Sequence, residues 1–230
     1  GQNIRAKNGE WKFSGDVPNT FDEHVQKSVP LYKDGHNLIL EYSDFFVPNN
    51  SHIYDIGCST GVLTSLLGDK HINKSIKIIG IDIEKDMTDK AKLNNSRRNV
   101  NYINGDFLNT ELKSSSLMIC YYTLQFISPS IRQLVVDKIY DSLSWGGALM
   151  LFEKVRAPDA RFQDYAVQVY NEFKLKNFSA DNVISKSKSL KGILEPFSSQ
   201  GNIDLMKRAG FKDIMTIQKY ICFEGFLAIK

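Results

Sequence analysis

Apolar runs alternate with amphipathic segments through the middle of the chain, from residue 49 to residue 154. The runs predict buried strands over 51–56, 74–83, 100–103, 116–122 and 148–153. The segments between them, in which apolar residues recur every three or four positions, predict helices that open at 62–67 and cover 87–94 and 131–143. Gly146 and Gly147 predict a turn into the last strand. Strand and helix thus alternate five times, which predicts an α/β fold with a doubly wound parallel sheet.

Residues 1–48 precede this alternation and predict an N-terminal helical cap. A helix is expected to begin near Asp22, because Phe21, Val25 and Val29 recur every four residues.

Residues 154–200 interrupt the alternation with a polar, aromatic stretch that is rich in Lys and Ser. They predict a helix to about Phe173, followed by an irregular segment. An insertion of this length typically forms a lid, a dimer surface or a substrate pocket. A helix at 201–210 and a hairpin of strands at 212–219 and 222–230 follow, and the hairpin is expected to close the sheet.

Composition narrows the class of protein. With 42% hydrophobic and 24% charged residues, the chain is typical of a globular protein, and its 230 residues predict one domain, 1–230. No apolar run approaches the roughly 18 residues of a membrane span, and the N-terminal residues do not resemble a secretory signal. A net charge of +3 suits a small anionic ligand and does not predict direct nucleic-acid binding. Cys58, Cys120 and Cys222 are widely separated, which favours a reducing, cytoplasmic setting and argues against a zinc site.

The loop after the first predicted strand carries the strongest local motif, YDIGCSTG, at 54–61. Gly57 and Gly61 allow the backbone to approach a ligand closely, and the following helix offers free N–H groups at its N-terminus. The motif differs from the GxGxxG of dinucleotide-binding proteins, so a pyrophosphate ligand is disfavoured. Cys58 invites assignment as a nucleophile, although a small residue packed against a ligand is the favoured interpretation.

Three carboxylates follow three successive predicted strands: Asp55, Asp82 and Asp106. Because the carboxyl ends of parallel strands meet at one edge of a sheet, these side chains are expected to face one crevice. Asp82 would accept the hydroxyls of a ribose, Asp106 an adenine amino group, and Asp55 a cationic amino group. Each alone is more often a turn residue, but together they predict a site for a nucleoside that carries a cation.

These motifs resemble the class I S-adenosylmethionine (SAM) methyltransferase fold, since YDIGCSTG, GIDIEKDM and INGDFL follow its first three motifs in order. The segments VQKSVPLY, YTLQFISPS, RQLVVDKIYDSLSWGGALMLFEKV and MKRAGF further resemble the carboxy-SAM synthase family, over residues 11–230. The resemblance implies a Rossmann-like, seven-stranded, mostly parallel sheet with helices on both faces and a helical lid insertion.

The resemblance also implies a reaction. Family members take prephenate, release its ring carboxylate as carbon dioxide and install that carbon on the sulfonium methyl group of SAM. A carbon next to a sulfonium can be deprotonated, and cationic groups would hold the anionic substrate and the new carboxylate. The products are phenylpyruvate and carboxy-SAM, which a partner enzyme uses to modify a wobble uridine in tRNA. A homodimer through residues 154–200 is expected by the same resemblance.

The resemblance implies a cofactor site for SAM or carboxy-SAM formed by Tyr32, Asp55, Gly57, Cys58, Ser59, Gly61, Asp82, Ile83, Asp106, Phe107, Tyr121 and Lys188. Of these, Tyr121 and Lys188 are the predicted catalytic residues.

Both of these residues depart from the family pattern. Tyr121 stands where the family carries a small amide in an NFTLQF-like block. Lys188 stands where the family carries an arginine, in an ISQKRS-like segment, that pairs with the added carboxylate, sometimes from the neighbouring subunit. If the segment aligns with the family two residues earlier, Lys186 takes the position of this arginine instead. Lysine keeps the charge but loses the bidentate fork of arginine.

Other interpretations remain open at this stage. An ordinary SAM-dependent methyltransferase would share the fold and the cofactor motifs, and a non-catalytic SAM-binding subunit would keep the same binding residues. Glu153 and Lys154 end the fifth strand, where they predict either chemistry or a structural ion pair. Arg156 and Arg161 are candidates for binding a substrate carboxylate, against the alternative of a solvated face.

Overall fold

A computed structural model describes residues 9–230, so residues 1–8 of the predicted cap lie outside the described part. The helices are α1 (Val17–Ser28), α2 (Tyr32–Ser43), α3 (Val62–Lys70), α4 (Lys85–Asn94), α5 (Arg132–Ser142), α6 (Ala160–Leu175), α7 (Ala180–Ser189) and α8 (Ser199–Ala209). The strands are β1 (His52–Ile56), β2 (Lys77–Asp82), β3 (Val100–Asn104), β4 (Ser115–Tyr121), β5 (Leu143–Lys154), β6 (Asp213–Tyr220) and β7 (Phe223–Ile229).

The strands form one sheet in the order β3-β2-β1-β4-β5-β7-β6. The pairs from β3 to β5 are parallel, whereas β7 runs antiparallel to β5 and β6. The strand order therefore reverses between β1 and β4, and the crevice at the carboxyl ends of those two strands is where open α/β sheets bind ligands. The predicted seven-stranded, mostly parallel sheet is confirmed.

Helices cover both faces of the sheet. Side chains alternate along β1, so that Ile53 belongs to one apolar cluster and Tyr54 to the other. One face packs on α5 and α8 through residues such as Val136, and the other packs on α2 and α3 through residues such as Leu67. None of the helices within residues 9–230 combines the length and the apolar character that a membrane span requires.

The beginnings of α1 and β5 differ from the sequence prediction for identifiable reasons. The first helix begins at Val17, ahead of Asp22, because Pro18 lies in its first turn, where the missing N–H of a proline is tolerated. Gly146 and Gly147 do not turn the chain into the strand but lie within β5. Gly146 has φ +75°, and the pairing of β5 with β4 shifts register there, which accommodates an irregularity inside the strand.

The second half of the insertion is a helix where the sequence predicts an irregular segment. Ser179 caps α7, since its hydroxyl accepts the backbone N–H of Asn182 at 3.3 Å. The chain near the N-terminus crosses the end of this helix: the N–H of Gly9 donates to the Lys188 carbonyl at 3.1 Å, and that of Trp11 to the Ser189 carbonyl at 3.2 Å. Backbone hydrogen bonds from the N-terminal segment therefore fix the C-terminal end of α7.

Candidate functional site

A cavity of about 2500 Å³ lies at the carboxyl edge of the sheet. The strand ends form its floor, and α1, α6 and α7 contribute to its walls. The volume exceeds the roughly 300–1,000 Å³ of an ordinary small-molecule pocket, so it leaves room for more than one ligand. Asp55, Asp82 and Asp106 all line this cavity, which brings together the three carboxylates that the sequence pattern selected.

The glycine loop forms the part of the cavity beneath β1 and β2. Gly57 has φ +73°, and a Cβ there would lie within 3.0 Å of the Thr123 side chain, so only glycine fits. Its N–H donates to the Ile81 carbonyl at 2.7 Å. Ser59 also has a left-handed backbone, with φ +51°, and its N–H donates to a carboxylate oxygen of Asp82 at 2.8 Å. The loop is thus fixed by the strand beside it.

Asp82 accepts one backbone N–H at each carboxylate oxygen, from Ser59 at 2.8 Å and from Glu84 at 2.9 Å. Each oxygen retains a second lone pair for a ligand hydroxyl. Burial raises the pKa of this carboxyl, while the two N–H donors oppose that rise. Ile83, the next residue, is 69% exposed and gives the cavity an apolar surface beside the carboxylate.

Asp106 caps the short 3₁₀ turn Phe107–Asn109. One carboxylate oxygen accepts the N–H of Leu108 at 2.9 Å, and the other accepts the side-chain amide of Asn109 at 3.2 Å. Phe107 is buried and lines the cavity beside it. A planar base placed here would meet an apolar surface and a hydrogen-bond acceptor together.

Asp55 is buried at the end of β1, where Thr64 donates its hydroxyl to the carboxylate at 2.6 Å. Burial raises the pKa of Asp55 to about 7, and the charge of Asp82 adds to the rise. A cationic amino group beside Asp55 would stabilise the ionised carboxylate, and this is the partner that the sequence predicts for it.

Two of the predicted loop residues, Gly61 and Cys58, contribute to packing beside the cavity. Gly61 directly precedes α3 and has φ +78°, and a Cβ there would lie 2.6 Å from the Tyr102 hydroxyl, so this glycine makes room for Tyr102. Cys58 lines the cavity but is buried, and burial raises the pKa of its thiol well above the ordinary value. The favoured interpretation of Cys58 as a packed residue agrees with this environment, because a thiolate is disfavoured there.

Tyr121 lies in the cavity wall within an aromatic cluster. Its hydroxyl donates to the backbone carbonyl of Tyr32 at 2.5 Å, and the two rings lie 5.0 Å apart. Burial raises the pKa of both phenols. The hydroxyl also lies over Gly35, where a Cβ would come within 3.0 Å of it. The Tyr121 side chain is therefore accommodated by a glycine in α2.

The two candidate lysines of α7 differ in their position relative to the cavity. Lys188 is exposed and does not line the cavity, whereas Lys186 does line it. Two residues apart on a helix are separated by about 200° of rotation, so they point to opposite sides of α7. The Lys186 ammonium lies 2.9 Å from the centre of the Trp11 ring, and burial lowers its pKa to about 7.

Lys154, Lys174 and Tyr122 also line the cavity, and the sequence analysis does not include them among the cofactor-binding residues. The sequence marks Lys154 as the end of β5, but it does not reveal the partner of this side chain. Glu153 does not pair with it, since a Glu153 carboxylate oxygen accepts the N–H of Leu124 at 2.9 Å. The position of Lys174 depends on the orientation of α6, which no motif marks.

Comparison with known proteins extends these findings. A family profile described as a methyltransferase domain matches residues 53–147. A protein of Staphylococcus epidermidis named carboxy-S-adenosyl-L-methionine synthase is 37% identical, over 96% of this chain and 97% of that protein. A protein of the same name from Nautilia profundicola is 33% identical, over 96% of this chain and 95% of its own length.

Solved structures support the same fold. Human N-acetylserotonin methyltransferase in complex with SAM aligns with a TM-score of 0.63 at 18% identity, over 94% of this chain and 56% of that one. A putative O-methyltransferase of Nostoc punctiforme aligns with a TM-score of 0.67 at 14% identity, over 98% and 64%. At such identities the alignments establish the fold, while the closer relatives establish the family. The chain has the class I SAM methyltransferase fold and belongs to the carboxy-S-adenosyl-L-methionine synthase family.

Proposed function

We propose that this protein converts SAM and prephenate into carboxy-SAM and phenylpyruvate. The observation that carries the proposal is the end-to-end similarity to carboxy-SAM synthases, at 37% identity over 97% of one relative. In the proposed reaction the ring carboxylate of prephenate leaves as carbon dioxide. The ring hydroxyl leaves as water with a proton from the methyl carbon of SAM, and that carbon forms the new bond to carbon dioxide.

The carboxylates at the strand ends divide the binding of SAM among them. Asp82 accepts the ribose hydroxyls through the lone pairs that its two backbone partners leave free. Asp106 accepts the adenine amino group, and the ring lies against Ile83 and Phe107. Asp55 pairs with the amino group of the methionine part. This division is supported by the common placement of all five residues on one cavity.

The new carboxylate of the product needs a cation. Lys186 is the lysine of α7 that lines this chain's own cavity, at a position where burial already lowers its pKa to about 7. Lys188, on the outer side of the same helix, could serve only the cavity of a neighbouring subunit, which is the arrangement that the family resemblance implies for its arginine. Replacing Lys186 and Lys188 separately by Met distinguishes these two assignments by the loss of carboxy-SAM affinity.

A homodimer through the insertion is supported by an apolar stripe on α6. Phe162, Tyr165 and Val169 are exposed and follow one another at helical spacing, and Ile184 of α7 is exposed as well. Val169→Asp should shift the protein to the monomer in size-exclusion chromatography with light scattering, whereas the same change at a solvated residue of α6, Gln168→Asp, should not. A wild-type monomer would contradict the dimer. We place the protein in the cytoplasm, with carboxy-SAM passed on to tRNA modification.

The ordinary methyltransferase remains the second candidate, and Tyr121 is the observation that favours it. Its hydroxyl is committed to the Tyr32 carbonyl at 2.5 Å, so the wall presents an aromatic ring where the family places an amide. The product of SAM turnover separates the candidates.

The decisive experiment uses SAM with a trideuterated methyl group, incubated with the protein and prephenate and analysed by mass spectrometry. Carboxy-SAM synthesis yields a nucleoside that has gained a carboxyl group and kept two deuterium atoms. A methyltransferase supplied with a suitable acceptor transfers the trideuterated methyl group to it and leaves S-adenosylhomocysteine. A binding subunit leaves the SAM unchanged, which would overturn the proposal.

A further inference from the structure

One part of the cavity wall contains two lysines against one aromatic ring. The ammonium groups of Lys154 and Lys174 lie 4.6 and 4.4 Å from the centre of the Tyr170 ring. All three residues line the cavity. Within residues 9–230, neither ammonium forms an ion pair with an acidic side chain. Two like charges are thus held together without a counter-charge.

The ring that positions the lysines is itself fixed. The Tyr170 hydroxyl donates to the carbonyl of Ser28, at the end of α1, at 2.9 Å. Its ring packs edge-on against Phe223, with centroids 5.2 Å apart. The cation–π contacts therefore hold the two ammonium groups at defined positions in the wall.

An orphaned hydroxyl on the same wall is an independent observation. Tyr122 is 7% exposed, and its buried hydroxyl, which neighbours that of Tyr121, has no partner with hydrogen-bond geometry among the described residues. The ring of Tyr122 packs against Phe223, as Tyr170 does, with centroids 5.8 Å apart. Its backbone has φ +60°, an uncommon conformation for a tyrosine, found in strained functional sites. A ligand group that accepted a hydrogen bond from this hydroxyl would offset the cost of burying it unpaired.

We infer that Lys154, Lys174 and the Tyr122 hydroxyl form a binding subsite for a carboxylate of the second substrate. All three groups are donors, and two of them are cations, so the complementary ligand group is an anion with several acceptor lone pairs. The identity of that substrate rests on the proposed function. The cavity would thus bind SAM through its acidic residues and the anionic substrate through its lysines.

Both lysines of this wall have a lowered pKa. Burial is the main cause in each case, and it lowers the pKa of Lys174 to about 8, with the charge of Lys154 contributing. A bound carboxylate would raise both pKa values and stabilise the ammonium forms.

The chemistry of the substrate selects which carboxylate binds here. Loss of carbon dioxide moves negative charge away from the ring carboxylate, so cations paired with that group would stabilise the ground state and slow the reaction. The pyruvyl carboxylate keeps its charge from substrate to product. The subsite therefore binds the pyruvyl carboxylate and leaves the ring carboxylate free to depart.

Phenylpyruvate is the appropriate probe, because it retains only the pyruvyl carboxylate. Its binding to the SAM-loaded protein is measured by calorimetry for the wild type, Lys174→Met, Lys174→Arg and the matched control Lys176→Met. Methionine keeps the aliphatic stem of the lysine, and Lys176 is exposed on the same stretch of chain. We expect Lys174→Met to weaken binding at least tenfold, which is about 1.4 kcal/mol. Lys174→Arg should stay within about threefold, and Lys176→Met should bind as the wild type.

Two outcomes overturn the subsite: no binding of phenylpyruvate to the wild type, or equal affinity in the wild type and Lys174→Met. Tyr122→Phe provides a second, milder variant, with an expected loss of about threefold; unchanged affinity in both variants would overturn the subsite as well. SAM affinity should be unchanged in all of them. Failure of the proposed reaction remains distinguishable, because a protein that binds phenylpyruvate through Lys174 but makes no carboxy-SAM from prephenate keeps the subsite and loses the function.

Discussion

The contact between Tyr121 and Gly35 predicts a strong energetic coupling between these two positions. A Cβ on Gly35 would lie within 3.0 Å of the Tyr121 hydroxyl oxygen, and the next ring atom is 3.1 Å away. The ring cannot easily move, because its hydroxyl is bonded to the Tyr32 carbonyl and the ring contacts Phe152 and other aromatic residues. Gly35→Ala therefore creates a clash whose shortest contact is with this one oxygen atom.

The magnitude follows from two opposing effects. Overpacking a buried contact costs about 1–3 kcal/mol. Alanine in place of glycine inside a helix gains up to about 1 kcal/mol. We expect Gly35→Ala to lower the free energy of unfolding by about 1–2 kcal/mol, or the melting temperature by roughly 2–8 °C for a chain of this length. In a Tyr121→Phe background the oxygen is absent, so the same change should be nearly neutral.

The assay is a double-mutant cycle by urea unfolding, followed by tryptophan fluorescence. Tyr122→Phe serves as the control background, because its hydroxyl is not among the atoms that a Cβ on Gly35 would meet. A coupling energy below about 0.5 kcal/mol between Gly35 and Tyr121 would refute the reasoning. So would an equal coupling with Tyr122.

Two other predictions concern buried carboxylates. Asp82→Asn should weaken SAM binding by about 10–100-fold, because it removes a charge-assisted acceptor of the ribose hydroxyls and places an amide N–H against a backbone N–H. Calorimetry compares this variant with Asp89→Asn, a change on the exposed face of α4. Equal SAM affinities of the two variants would contradict the assignment of Asp82. Glu153 has its pKa raised by burial to about 8 from 4.5. The folded carboxyl therefore keeps a proton that the unfolded chain releases, and the free energy of unfolding should fall as the pH rises from about 4.5 to 8. Glu153→Gln should flatten this dependence in urea unfolding at several pH values, and an unchanged slope would count against it.

The sequence predicted the carboxylate edge because two strong regularities coincide there. Buried parallel strands are continuous apolar runs, and polar residues directly after such runs must lie at the carboxyl edge of the sheet. Asp55, Asp82 and Asp106 needed no knowledge of distant packing to be placed on one cavity. The structure brings these three together, and what each one binds remains a prediction.

The sequence did not predict helix α7 or the orientation of the helices in the insertion, because distant contacts determine both. Helix α7 looks irregular in a segment rich in Ser and Lys, and the N-terminal segment that crosses its end is more than 150 residues away in the chain. If no helix is predicted, the sequence cannot indicate which lysine faces the cavity. The family motif alone then favours Lys188 over Lys186 as the cofactor-binding lysine. The same limit applies to Lys174, whose neighbour Lys154 comes from a strand that lies before the insertion.

The size of the cavity has a consequence for the fate of the transferred carbon. The carboxylates proposed to bind SAM and the lysines Lys154 and Lys174 line one cavity of about 2500 Å³, so the two substrates can be present together. Under the proposed reaction, carbon dioxide would be released and captured inside that space before it could exchange with dissolved carbonate. Isotopically labelled bicarbonate in the buffer should then leave the product unlabelled, and the rate of carboxy-SAM formation should not depend on the bicarbonate concentration.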